Sequence, residues 1–320
     1  NEAKFERLRP AIADFAPDAI VCFDLEAAAA AAPLKAALKT VWLGDLNFRS
    51  MWYNYLYGFR EAPLTLRWYP YAFQQMRAWR RIYAASLASF DPIIVSSHSS
   101  EADLARIGLR ATYRPYPWPV PESVPTTPTS QPDLPTFLFF GNLTGLGSRS
   151  AFHFMFREVI PQLRKTWPGG GFRILIAGRA ELRGWVAERM AATPEIEFLG
   201  FVDDLAGLIG RCHAVLAPLD VPVGNRSRIL TAMALGGLVI AHENAALGNS
   251  SLRDGENALL FGDADRMVEH MTASVRDPAR FRSVIAAAQH TYRNEFAPEA
   301  AAGAFADIVA AARPSASAAA

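Results

Sequence analysis

Two cysteines in 320 residues exclude a disulfide framework. Cys22 and Cys212 each sit in an apolar, strand-like run, so both read as buried free thiols in a reducing compartment. Long hydrophobic runs are also missing. No stretch reaches the about 18 apolar residues that a membrane-spanning helix needs, and the uniform run Ala27 to Ala32 stops at Pro33. The residues from Asn1 onward do not read as a signal peptide. Charge of one sign is lacking too: the formal net charge is +1, which gives global electrostatics no reason to favour a nucleic-acid partner. None of the strand-like runs singled out below is followed by an Asp-x-Asp pair, so no metal is expected. The chain starts at Asn1 rather than Met and enters a helix-like segment at once. Further residues are therefore expected ahead of it.

What is present is ordinary globular material, 51% hydrophobic and 20% charged, with the length for two domains. In the first half, Phe5 to Phe15 has helical spacing up to Pro17. Ala19 to Phe23, Thr40 to Leu43 and Ile93 to Ser97 are short apolar runs that suit buried parallel strands. Ser99 and Ser100, with Asp103 beyond, form a helix-capping signature after the third run. Between the runs, Arg49 to Tyr83 interleaves Trp and Tyr with Arg. Such a segment suits a helical lid packed on the sheet, or a surface facing a glycan or a membrane.

Eight prolines between Arg114 and Thr136 exclude helix and central strand there. They mark a semi-rigid linker over 114–136. Beyond it, five strands alternate with helices: Phe137 to Phe140, Arg173 to Ala177, Ile196 to Leu199, His213 to Ala217 and Leu238 to Ala241. Helices are expected over Ala151 to Lys165, Leu182 to Met190, Asp204 to Arg211 and Arg226 to Leu235, and only helices after Asp263. This alternation implies an α/β fold with a parallel, doubly wound sheet.

Ligands of such sheets bind at the carboxyl ends of the strands, so the loops there carry the candidate chemistry. Gly141, Asn142, Gly145 and Gly147 precede a helix start, where backbone amides favour an anion. Gly178-Arg179 and Gly200-Phe201-Val202 follow the next two strands. After the fourth come Gly224, Asn225, Arg226 and Arg228. Two arginines at a helix N-terminus oppose the macrodipole by about 0.3–1 kcal/mol each. Their presence there makes sense if a phosphate or diphosphate lies between them. Asp203-Asp204 reads as an N-cap with a neighbouring acid. His98, after the third run of the first half, is a candidate base or acceptor ligand, and His242 is similarly placed after the last strand. His153, His213, His270 and His290 need no function.

The stretch Gly224 to Ile240 (GNRSRILTAMALGGLVI) resembles the donor-site segment of the group 1, family 4-like glycosyltransferases, which are retaining, metal-independent GT-B enzymes. Phe140 to Asn142, Ile176 to Arg179, Phe198 to Val202, Leu216 to Leu219 and Gly255 to Leu260 extend the likeness, in order and spacing. The resemblance implies two Rossmann-type parallel-sheet domains, the first incomplete: a partial acceptor-side domain over 1–113, the linker 114–136, a nucleotide-sugar-binding domain over 137–295, and a C-terminal helix and tail over 296–320. It implies that Arg228, with Arg149, holds the donor diphosphate, and that backbone around Gly200 to Val202 faces the nucleobase. Thr231 stands where the family has a ribose-binding Glu and offers one hydroxyl in place of a carboxylate. The partner Glu upstream is also absent; Val223 and Gly224 stand there.

The implied activity is hexosyl transfer from a nucleoside diphosphate sugar to a hydroxyl of a glycan or lipid-linked acceptor, in polysaccharide or glycoconjugate synthesis, with no cofactor beyond the donor. The implied location is cytoplasmic, with peripheral association at the inner membrane face. The alternative is a non-catalytic nucleotide-sugar or glycan-binding GT-B module of a larger protein. Other enzymes of this architecture, epimerases and phosphorylases, are the further rivals; a phosphorylase needs a lysine for pyridoxal phosphate, and no convincing candidate is present.

Overall fold

The computed structural model describes residues 10–12, 14–120, 132–169, 171–179, 182, 184–222, 226–247 and 249–311. Residues 121–131 of the proline-rich segment and the expected sites Gly224 and Asn225 lie outside them. The chain forms two compact units, one built on residues up to Tyr116 with Glu299 onward, the other on Pro117–Pro222 and Arg226–Pro298.

In the first unit, β1 (Ala19–Phe23), β2 (Leu38–Leu43), β3 (Ile93–Val95) and β4 (Ala111–Tyr113) pair in that order, all parallel. Its helices are α1 (Asp24–Ala31), α2 (Asn47–Glu61), α3 (Tyr69–Leu87) and α4 (His98–Ala105), with a 3-10 turn at Pro63–Trp68 between α2 and α3. The core joins Val41, Leu43, Ile93 and Val95 of the sheet to Leu25 and Ala28 of α1 and Tyr83 and Leu87 of α3. Two expectations need correction. Among the described residues β1 is an edge strand with a neighbour on one side only, and Val21 and Phe23 are exposed while Cys22 alone is buried. The cap of α4 is Ser97, not Ser99 or Ser100: its hydroxyl accepts from the Ser100 amide at 3.2 Å, because the strand ends two residues early. β4 is an additional strand, too short for a periodic signal.

The second unit holds a six-stranded parallel sheet in the order β10-β9-β8-β5-β6-β7. Its strands are β5 (Thr136–Phe140), β6 (Arg173–Ala177), β7 (Ile196–Gly200), β8 (Ala214–Ala217), β9 (Val239–His242) and β10 (Leu259–Phe261). Five strands are expected from sequence; the sixth, β10, is three residues of an apolar run that pairs with β9. Side chains alternate strictly. Phe137, Phe139, Ile174, Ile176, Ala214 and Leu216 enter one core, while Leu138, Phe140, Ala177, Val215 and Ala217 enter the other. A sheet apolar on both sides must be covered on both, as parallel sheets are.

The helices in chain order are α5 (Leu146–Phe154), α6 (Ile160–Thr166), α7 (Trp185–Ala191), α8 (Leu205–Gly210), α9 (Ser227–Ala234), α10 (Glu243–Ala246), α11 (Ala264–Arg276), α12 (Arg282–Thr291) and α13 (Pro298–Ala311). Helix α5 begins five residues before the expected Ala151 and runs through a π turn at Met155–Val159 into α6. Among the described residues, no helix is long and apolar enough to cross a membrane.

Candidate functional site

The strand order fixes where a ligand fits. β5, β6 and β7 run outward one way and β8, β9 and β10 the other, so the direction of winding reverses between β5 and β8. The crevice outside the carboxyl ends of the strands at such a reversal is the binding position of open α/β sheets. The loops leaving β5 and β8 are the ones that carry Gly141–Gly147 and Arg226–Arg228.

Two glycines let these strand ends approach. Gly141 has φ +122°, and a Cβ there would stand 3.2 Å from Arg228 Nη2. A Cβ on Gly178 would stand 2.2 Å from the Gly141 carbonyl oxygen, which no side chain tolerates. The turns after β5 and β6 therefore lie backbone to backbone, tied by the Gly141 amide to the Ala177 carbonyl at 3.0 Å and the Gly178 amide to the Gly200 carbonyl at 2.7 Å.

Arg228, in the first turn of α9, is the central side chain. Its guanidinium lies over the Phe139 ring, 4.1 Å from the centroid. Nη2 donates to Ser148 Oγ at 2.8 Å, and the Ser148 hydroxyl donates to the Asn142 carbonyl at 2.5 Å. The residue keeps some surface, but Nε and Nη1 are shut off from solvent and meet no acceptor among the described residues. Burial, and then the charge of Arg226, lower its pKa to about 9. It is therefore still a cation at neutral pH. Arg226, buried at the N-cap position of α9, donates to the Val221 carbonyl. Its Nη1 comes near α5: a Cβ on Gly147 would be 3.5 Å away. Two guanidinium groups thus converge on the N-terminal turn of α5, which is itself the positive end of a helix dipole. Like charges crowded in a low-dielectric site repel and lose hydration. An anion with several acceptor oxygens reverses both effects.

Beside this cluster is a cleft of about 560 Å³ lined by Gly141, Asn142, Gly178, Arg179, Phe201 and Val202, with Phe140, Ala177 and Leu205. Gly200 backs it through its bond to Gly178. The Arg179 guanidinium lies 4.1 Å from the centre of the Phe201 ring, and Phe201 is 56% exposed. An exposed aromatic paired with a flat cation offers a stacking face to a planar group.

Other expected residues fall elsewhere. Thr231 is on α9, outside the lining of that cleft, and its hydroxyl accepts a hydrogen bond from Trp118 Nε1 at 2.8 Å. Trp118 is anchored to Phe296 through its amide and to the Tyr292 hydroxyl through its carbonyl. Arg149 is on the first turn of α5, half-buried. His98 belongs to the first unit, where its exposed ring meets Glu101 Oε2 at 2.5 Å and packs on Tyr113. His242 is buried and caps α10, accepting from the Asn244 amide. Asp204 caps α8 by accepting from the Gly207 amide at 2.8 Å. Cys22 and Cys212 are buried thiols whose pKa values burial raises, that of Cys212 to about 12. Ser148, Phe139 and Trp118 are the contributors that sequence reasoning missed; each matters through a partner far away in the chain, which spacing does not reveal. Among the described residues, no group of three or more His, Cys, Asp or Glu side chains is placed to hold a metal ion.

Residues 134–277 match the family described as glycosyl transferases group 1. That segment is a little under half of the chain. It contains every strand-end loop just described. Solved structures show the same two-unit GT-B architecture over nearly the whole chain. An Anabaena protein, HepE, determined in complex with UDP, superposes with a TM-score of 0.70 at 15% identity, covering 96% of this chain and 82% of that one. A sucrose-phosphate synthase from Thermosynechococcus elongatus gives 0.67 at 18% identity, with 96% and 77% covered. A glycosyltransferase from Rickettsia africae gives 0.69 at 12% identity, with 97% and 80% covered. At these identities the likeness is one of fold. No curated protein matches the chain by sequence. Thr231, with its contact to Trp118, lies within the matching segment.

Proposed function

We propose that the second unit binds a nucleoside diphosphate sugar and that the protein transfers its glycosyl group to a hydroxyl. The observation that carries this reading is the Arg228 guanidinium, buried with two donors that meet no acceptor among the described residues. The diphosphate is assigned to Arg228, Arg226 and the amides opening α5, with Arg149 as a further cation. The nucleobase is assigned to the cleft at Arg179, Phe201 and Val202, and uracil is the first base to test because HepE was determined with UDP.

The leaving group of such a transfer is a diphosphate, so the chief catalytic task is to stabilise negative charge that grows as the glycosyl bond breaks. Fixed guanidinium groups and a helix terminus do this without reorganising at the moment of reaction. The same positive set supports a metal-independent transfer. In this reading the reaction is a retaining hexosyl transfer in polysaccharide or glycoconjugate synthesis. The first unit takes the glycan or lipid-linked acceptor, with His98 as the candidate acceptor-side residue, and the protein works in the cytoplasm at the inner face of the membrane.

A second reading, a nucleotide-sugar-binding module without catalysis, is favoured by one contact. The only hydroxyl at the position of the family's ribose carboxylate is already engaged by Trp118. A thermal-shift panel of UDP, GDP, ADP and CMP sugars tests the binding, since a ligand at a hundred times its Kd stabilises by about 2.7 kcal/mol. Sugar release from the stabilising donor then separates the readings: turnover supports the transferase, binding without turnover supports the module, and no shift with any donor defeats both.

A further inference from the structure

The hairpin of α2 and α3 in the first unit carries a surface that the fold itself does not explain. At its tip, Leu64 is 88% exposed and Trp68 52%, and Leu66, Tyr69, Tyr71 and Phe73 are exposed with them. These six lie within ten consecutive residues, in the 3-10 turn and the first turn of α3. Contiguous apolar surface of this kind marks an interaction site. The charge around it is predominantly positive. Residues 47–87 contain six arginines and a single acid, Glu61, a net +5 inside a chain of net +1. Three exposed arginines stack on the rim: Arg60 on Tyr57 at 4.9 Å, Arg67 on Trp68 at 5.5 Å and Arg77 on Phe73 at 5.8 Å.

We propose that this hairpin tip docks the protein onto an anionic lipid bilayer, with Leu64, Leu66 and Trp68 entering the boundary between headgroups and acyl chains and Arg60, Arg67 and Arg77 meeting lipid phosphates. The layering of the tip argues for this occupant. Leucines protrude, amphipathic Trp and Tyr rings collar them, and cations stand at the edge, which matches the gradient from acyl chain to headgroup to phosphate. A second copy of the chain would bring two +5 surfaces together. A nucleic acid would engage the arginines and leave Leu64 and Leu66 in water. Since no described helix can cross a membrane, docking by these helices is peripheral. The inference deepens the membrane location proposed above and is independent of the donor site, which concerns the other unit, so flotation can fail while nucleotide binding stands.

Flotation of the full chain with vesicles tests it. The protein should float with vesicles of mixed phosphatidylglycerol and phosphatidylcholine, not with phosphatidylcholine alone, and the partition should weaken as salt is raised. Arg67→Gln with Arg77→Gln should lower the partition coefficient roughly 25-fold, about fivefold for each arginine near an anionic surface. Leu64→Ser with Trp68→Ser should lower it as well. All four positions are exposed, so circular dichroism should report an unchanged fold. Arg189→Gln with Arg211→Gln, the same charge change on the second unit, should leave flotation as it is. Equal flotation with neutral vesicles, no flotation with either, or tip variants that float like the wild type would overturn the proposal. So would sedimentation showing that the tip mediates self-association instead.

Discussion

At the amino end of β7, Arg164 and Glu195 form a two-pronged pair, Nε to Oε1 at 2.7 Å and Nη2 to Oε2 at 2.8 Å. At the carboxyl end of the same sheet, Arg228 is more deeply enclosed and has one serine hydroxyl. Both are arginines of one unit, packed against one sheet. The first is matched inside the protein: Arg164 holds the Glu195 carboxyl below its usual range, and Glu195 raises the guanidinium in return. The second is mismatched: burial lowers it, and the charge of Arg226 lowers it further. A buried cation without a partner is costly to the folded state. On the proposed function, the two ends differ because one is finished by folding and the other would be completed by a ligand.

Gly178→Ala should have the largest effect, because it forces apart the turns that shape the open end. The added Cβ meets the Gly141 carbonyl at 2.2 Å, and neither backbone is free to move. A loss of about 3 kcal/mol is expected, at the upper end for overpacking, read as a lower denaturant midpoint together with weaker nucleotide binding. An unchanged midpoint would mean that the strand ends are less tightly joined.

Glu195→Gln makes the finished end resemble the unfinished one. It should cost about 1–2 kcal/mol, near the low side for a charged hydrogen bond because Arg164 is half in solvent. The folded-state pKa of Glu195 is depressed, so its contribution is present above the ordinary glutamate range and fades as pH falls through that range and then through the lower folded value. The stability gap between wild type and Glu195→Gln should therefore close in acid, while nucleotide binding at neutral pH stays unchanged. A gap constant from neutral pH to acid would deny the pairing its role.

The smallest effect is expected at Arg179→Ala. Its guanidinium shares the open end but is exposed and stacked on Phe201, an arrangement worth about 0.5–1 kcal/mol. Calorimetry should find nucleotide affinity lowered only a few-fold and the melting temperature unmoved. A loss as large as that from removing Arg228 would shift the anion site toward β6.

The contrast between the two ends was partly visible in the sequence. Arg226 and Arg228 stand out because a helix start gains nothing from them, and the strands of the second unit are recognisable as apolar runs between glycine turns. The pairing of Arg164 with Glu195 is not visible, since 31 residues separate them. Nor is Ser148, 80 residues from Arg228. Trp118 was hidden among prolines, and its bond to Thr231 spans 113 residues. The short strands β4 and β10 have three residues each, too few for any period. β1 reads as buried because an apolar pentapeptide carries no mark of being at an edge.

The most direct test of the account is the melting temperature of wild type and Arg228→Met, each with and without UDP at neutral pH. Without ligand, the variant should melt at the same temperature or higher, because methionine keeps much of the stem that packs on Phe139 and removes a charge that folding leaves unmatched. UDP should raise the melting temperature of the wild type and leave that of the variant where it was. A variant that melts lower without ligand, with UDP shifting both proteins equally, would show that Arg228 serves the fold and that the diphosphate, if bound, lies elsewhere.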